Sequence, residues 1–235
     1  MPLIQTTDLQ IYIASVEPLK NDGLYRLAKE AVSPERRERA ERYRFPEDRA
    51  LSYGAELLLR KALTDCGRDG RDLVFGYGEH GKPHLADEPG FFYSLSHAGL
   101  FAMAAVGQAE LGCDIERITE PRLAVARRFF SPEEYEALTA APSEERSALF
   151  FRYWTLKESF LKATGLGLTL PLDSFQIVFG PEGEVSVRPQ PQGKIYRFAE
   201  SDRISGYRCA VCAEGAAFSV RWETVDLKEL LLSPQ

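Results

Sequence analysis

Leu111-Gly112-Cys113-Asp114-Ile115-Glu116 reads as a strand that carries two acids on one face. Alternate side chains of a strand point to opposite sides, so Asp114 and Glu116 point together while Cys113 and Ile115 face the other way. Downstream, Trp154-Thr155-Leu156-Lys157-Glu158-Ser159-Phe160-Leu161-Lys162-Ala163 reads as a helix with Trp154, Glu158 and Lys162 on one stripe. Hard divalent cations such as magnesium take a few carboxylate oxygens and leave their other positions to water or phosphate, which makes Glu158 the candidate third ligand beside Asp114 and Glu116. The plainer reading of Glu158 and Lys162 is a surface ion pair contributing about 0.3–0.5 kcal/mol. Phe160 and Leu161, which demand burial, and the apolar turn Gly165-Leu166-Gly167-Leu168 before Pro171-Leu172 weigh against it.

Working outward, the same order of signals occurs twice. Residues 9–16 alternate as a strand, with Ile11 and Ile13 on one face; Ser33-Pro34-Glu35 then starts a helix, and a longer one runs from Pro46 to Leu63. About a hundred residues later come the strand 111–118, a start at Ser131-Pro132-Glu133-Glu134 with a capping-box acid, and the long helix that places Glu158 opposite Glu56 in the alignment. Between them, 76–88 reads as a turn-rich loop and 91–106 as one or two strands. Extended stretches follow at 174–179, 184–187, 194–198, 206–213 and 217–222. The expected fold is α+β: two pseudo-duplicated α/β halves, 1–105 and 106–235, meeting along 105–112, with the functional groups at their interface.

Composition bounds the function. The 235 residues are 44% hydrophobic, enough for a proper core, and the net charge of -6 argues against general nucleic-acid binding. Met1-Pro2-Leu3-Ile4-Gln5 lacks the charged start and apolar run of a signal peptide, and no segment approaches a membrane span, so a cytoplasmic protein is expected. Cys66, Cys113, Cys209 and Cys212 form no zinc set and read as reduced, structural thiols.

Other candidates carry competing readings. Arg36 and Arg39 can face one direction, though the mixed-charge run around them also suits a solvated helix face. Lys82, between Gly81 and Pro83, sits in a loop that would present a cation or its backbone to a ligand. Ser96-His97 lies in an apolar segment, where a lone histidine is more often a satisfied core residue; no nucleophile elbow frames Ser96 and no carboxylate is clearly assigned to His97, which argues against serine-hydrolase chemistry.

The paired stretches Gly112-Cys113-Asp114-Ile115-Glu116 and Trp154 to Ala163 resemble the signature of the 4′-phosphopantetheinyl transferases. Ser33-Pro34-Glu35-Arg36-Arg37-Glu38-Arg39, Gly81-Lys82-Pro83, Phe92-Tyr93-Ser94-Leu95-Ser96-His97, Leu170-Pro171-Leu172-Asp173-Ser174-Phe175 and Gly206-Tyr207-Arg208-Cys209-Ala210-Val211-Cys212 extend the similarity in order along nearly the whole chain. They resemble the long, monomeric, surfactin-synthetase-activating branch. Two departures are small: Cys113 stands where the family usually has an aliphatic residue, and Arg36 and Arg39 stand where relatives often have lysines.

The resemblance implies transfer of 4′-phosphopantetheine from coenzyme A to a serine of an apo acyl or peptidyl carrier protein, releasing 3′,5′-adenosine bisphosphate. It implies magnesium, or manganese, on Asp114, Glu116 and Glu158, with Lys162 on the diphosphate and Glu158 as the base. Arg36, Arg39 and His97 would hold the 3′-phosphate, with Ser52 a weaker candidate. Gly81-Lys82-Pro83 would border the adenine, and Ser96 would donate to a phosphate oxygen. Carrier docking would use 119–130, where Arg122, Arg127 and Arg128 intermingle with Phe129; an ordinary amphipathic helix is the competing reading. A non-catalytic coenzyme A-binding module is the alternative function, disfavoured because binding alone would not need the acids and Lys162 together.

Overall fold

The computed structural model describes residues 7–191, 193–215 and 217–233. The reading of residues 1–5 lies outside the described residues. Strand β1 (Thr7–Ser15) alternates as its sequence demands. Tyr12 and Ala14 enter the core beneath the first long helix, whereas Leu9, Ile11 and Ile13 enter a cluster shared with the second half.

Helix α1 (Asp22–Ala31) was not anticipated; Asn21 caps it by accepting from the amides of Gly23 and Leu24 at 3.0 and 3.1 Å. Helix α2 (Pro34–Glu41) begins where Ser33 predicts, the serine Oγ accepting from Arg36 N at 3.1 Å. Helix α3 (Pro46–Asp65) packs most of its length into the first core. The expected loop at 76–88 contains a short hairpin, β2 (Phe75–Tyr77) with β3 (Pro83–Leu85), and 91–106 resolves into antiparallel β4 (Phe92–Ala98) and β5 (Phe101–Gly107).

The second half repeats the plan with β6 (Leu111–Arg117), α4 (Leu123–Phe129), α5 (Pro132–Ala140) and α6 (Ser143–Thr164). The hairpin β7 (Gln176–Phe179) with β8 (Val185–Arg188) follows, then β9 (Tyr196–Ser201) and β10 (Tyr207–Glu214), which build a sheet ordered β6-β10-β9. Strand β11 (Phe218–Thr224) then crosses back to pair parallel with β1, giving β11-β1-β5-β4. Helix α7 (Leu227–Leu232) follows it and buries Leu227 in the first core. The end of the span 106–235 therefore packs on the first half, where it covers an edge of β1 that would otherwise present unpaired backbone groups.

Serine hydroxyls close the seam between the sheets. Ser94 Oγ accepts from Cys113 N at 3.0 Å and Ser96 Oγ from Ile115 N at 3.3 Å, so β4 and β6 lie side by side. On the other face of β6, Gly112 has no Cβ because one would collide with Ser159 O, Ala163 N and the Lys162 side chain; the glycine lets α6 lie directly on the strand. Among the described residues, no helix is long and apolar enough to cross a membrane.

Candidate active site between the halves

Close packing of α6 on β6 determines the chemistry at the seam. Alternation along β6 sends Cys113 and Ile115 into the shared core and leaves Asp114 facing α6. Lys162 Nζ reaches back to donate to Asp114 Oδ1 at 2.8 Å, Cys113 O at 3.0 Å and Ser96 Oγ at 3.3 Å. Ser96 Oγ in turn donates to Asp114 Oδ1 at 2.8 Å. The first half thus supplies the hydroxyl, the second-half strand the carboxylate, and the long helix the cation.

This cluster forms part of the wall of a cleft of about 610 Å³. Arg36, Arg39, Ser96 and His97 line it from the first half, joined by the Gly81-Lys82-Pro83 loop, and Asp114, Glu158 and Lys162 from the second. Ser52 lies elsewhere: it is buried in the body of α3 with no hydrogen-bond partner for Oγ among the described residues, and it is not part of the cleft wall. Glu116, two residues along the strand from Asp114, is half-buried and is not among the residues that line the cleft.

Of the two readings of Lys82, a presented cation or a presented backbone, the geometry favours the second. The Lys82 ammonium pairs with Glu110 and donates to Leu111 O at 3.0 Å and Ala163 O at 3.3 Å, tying the loop to the second half. Only the loop's placement, and not a free lysine charge, is offered to the cleft. Tyr77 and Tyr93, which sequence reasoning missed, also line the cavity, Tyr77 donating its hydroxyl to Glu35. Their signal was their position, Tyr77 beside a turn glycine and Tyr93 two residues before Leu95 on the strand leading to His97.

The carboxylates at the seam repel one another. Burial pushes the Glu116 carboxyl up to about 7, with Asp114 and Glu158 adding to the rise and Lys162 and Arg122 opposing it. Burial raises Glu158 as well, helped by Asp114. For Lys162, burial disfavours the charged form, but Asp114, Cys113 and Glu158 outweigh it and the ammonium is held above its usual range.

Among the described residues, no group of three His, Cys, Asp or Glu side chains stands ready to chelate an ion. The donors nevertheless fit a hard cation. Among the described residues Asp114 Oδ2 is buried without a partner, and three acids share a region whose crowded negative charge a divalent ion would relieve.

On the docking segment, Arg122, Arg127 and Arg128 are exposed. Phe129 is half-buried, edge-on to Trp154 at 6.3 Å, and Arg128 lies over its ring at 5.0 Å; Phe130 is fully in the second core.

The model of the 4′-phosphopantetheinyl transferase superfamily matches residues 110–212, and that of the 4′-phosphopantetheinyl transferase N-terminal region matches residues 17–109. A 4′-phosphopantetheinyl transferase of Bacillus subtilis is 36% identical over 203 residues, covering 86% of this chain and 90% of its own. The 4′-phosphopantetheinyl transferase psf-1 of Bacillus pumilus is 31% identical over 228 residues, covering 95% of this chain and 97% of its own. A solved holo-(acyl-carrier-protein) synthase from Bacillus anthracis, in complex with CoA, is similar over 46% of this chain and 97% of its own, with 13% identity and a TM-score of 0.41. The chain belongs to the 4′-phosphopantetheinyl transferase superfamily.

Proposed function

We propose that this chain transfers 4′-phosphopantetheine from coenzyme A to the serine hydroxyl of an apo acyl or peptidyl carrier protein. The observation that carries the reading is the Asp114–Lys162 pair, 2.8 Å apart in a cleft lined by both halves, in a chain of this family. The serine oxygen attacks the β-phosphorus of the diphosphate, the bridging P–O bond breaks, and 3′,5′-adenosine bisphosphate leaves.

Each residue then has a role. Lys162, kept protonated by its acidic neighbours, stabilises charge on the leaving phosphate. Glu158, whose carboxyl is raised by burial and by Asp114, takes the serine proton. Arg36, Arg39 and His97 hold the 3′-phosphate, Ser96 donates to a phosphate oxygen, and Gly81, Lys82 and Pro83 border the adenine. Asp114, Glu116 and Glu158 would hold magnesium or manganese, which when bound supplies positive charge against the diphosphate.

Exposed Arg122, Arg127 and Arg128 suit an acidic carrier. A single chain supplies both walls of the cleft, which supports a monomer. The four cysteines are free, which supports a reducing compartment such as the cytoplasm.

Mass spectrometry of an apo carrier protein incubated with coenzyme A, magnesium and the enzyme tests the reaction. A gain of the phosphopantetheine mass on the carrier serine is expected, and chelation of the metal by EDTA should abolish it. Free phosphopantetheine would indicate hydrolysis instead, and an unchanged carrier a binding module; either refutes the proposal.

A further inference from the structure

Glu56 is fully buried on α3 and has no part in the reaction as assigned. Its carboxylate accepts from Ser33 N at 2.6 Å, Ser33 Oγ at 2.9 Å and Arg36 Nε at 3.1 Å. It also accepts from Arg60, through Nε at 3.1 Å and Nη2 at 3.0 Å. One anion therefore lies between two guanidinium groups, and a buried charge of that kind persists only when its donors are fixed around it.

The two arginines are used differently. Arg60 turns Nη1 to the carbonyls of Gly70 and Arg71, at 2.8 and 2.7 Å, on the side away from the cleft. Arg36 gives Glu56 its Nε alone. Among the described residues its two terminal nitrogens have no partner, and its side chain lines the cleft. The backbone beneath it is fixed as well, since Arg36 N donates to the Ser33 cap. A guanidinium held by Nε presents its remaining face as a planar fork, the geometry that meets a phosphate at two points.

We infer that Glu56 is a positioning residue that aims Arg36 into the cleft and so sets the preference for a substrate bearing a phosphate monoester on the nucleoside ribose. The inference rests on the transferase reading above. It adds a residue that touches no substrate and acts only through Arg36.

The test compares transfer from coenzyme A with transfer from 3′-dephospho-coenzyme A, measured as the ratio of the two kcat/KM values in one preparation, so that the fraction of folded enzyme cancels. The wild type should prefer coenzyme A. Glu56→Gln should lower that preference roughly tenfold, the size of effect given by losing alignment of a charge-assisted hydrogen bond, with the loss in the KM for coenzyme A and not in kcat. Arg36→Met should lower it as much, and the double variant no further. If Glu56→Gln yields no folded protein, Glu56→Asp, which keeps the charge but withdraws it from Arg36, is read by the same ratio. An unchanged ratio, an equal loss on both substrates, or a further drop in the double variant overturns the inference. A wild type that uses neither substrate refutes the transferase reading itself. A wild type that transfers but shows no preference removes the 3′-phosphate assignment, and this inference with it.

Discussion

Both halves open a short helix with Ser-Pro and bury a carboxylate beneath it, but the carboxylate comes from opposite sides. In the first half Glu56 rises from the long helix α3 to accept from Ser33, and its cationic partner Arg36 stands at the cleft with terminal nitrogens that have no partner among the described residues. In the second half Glu134 belongs to the short helix itself. It accepts from Ser131 N at 2.8 Å and Ile177 N at 2.7 Å, and the long helix α6 answers with Lys157, 2.8 Å away. Lys157 donates as well to Leu172 O at 2.8 Å and Phe175 O at 2.7 Å, and neither it nor Glu134 has any exposed side chain. The same local signal thus builds two devices. Where the long helix carries the acid, a cation is left facing the cleft; where it carries the cation, every donor is consumed inside the fold.

The contrast is easiest to break at Lys157. Lys157→Met leaves the Glu134 carboxylate buried without its counter-ion and should cost about 3–5 kcal/mol in urea unfolding, while the surviving folded enzyme keeps its KM for coenzyme A. A loss within experimental error would show that the second network is not structural. Gly112→Ala comes next. A Cβ there meets backbone of α6, and relieving it should cost roughly 1–3 kcal/mol and displace Lys162, so that kcat falls more than the KM for coenzyme A rises. An alanine variant with unchanged kcat would mean that the helix has room to shift without disturbing the pair.

The caps sharpen the comparison further. Ser131→Ala should cost about 1 kcal/mol, the usual worth of an N-cap, with substrate affinities intact. Ser33→Ala should cost a similar amount and in addition raise the KM for coenzyme A, because Ser33 also holds Glu56. Identical kinetic behaviour of the two serine variants would erase the distinction. The smallest stability effect is expected at Arg127→Glu with Arg128→Glu, within about 0.5 kcal/mol at exposed positions. Its mark should be a raised KM for the carrier protein without a matching rise for coenzyme A; an equal rise for both would defeat the docking assignment.

Much of this was legible in the sequence where the controlling interactions are local. The serine caps, the alternation that separates Asp114 from Cys113, and the stripe joining Glu158 to Lys162 each depend on spacing within one element. Helix α1 was legible and went unread: behind the Asn21 cap, Leu24, Tyr25, Ala28 and Ala31 recur at helical spacing and pack on the first core, while the polar residues between them face outward. The crossing of β11 to β1 escaped because pairing between chain ends leaves no trace in either strand. Ser52 suggested a ligand contact, but α3 is buried on almost every side and its sequence does not indicate which face meets the cleft. Lys82 showed a loop and a charge, while its destination, the carbonyls of Leu111 and Ala163, became visible only once the halves were docked. Glu56 was noticed only as the counterpart of Glu158 in a repeat, since its two arginines reach it from different elements.

A crystal structure of the enzyme with coenzyme A and magnesium addresses the central claim most directly. The diphosphate should lie beside Lys162 and Asp114, with the 3′-phosphate on Arg36 and Arg39 across the seam. A nucleotide held wholly by one half, with its diphosphate out of reach of Lys162, would contradict the account.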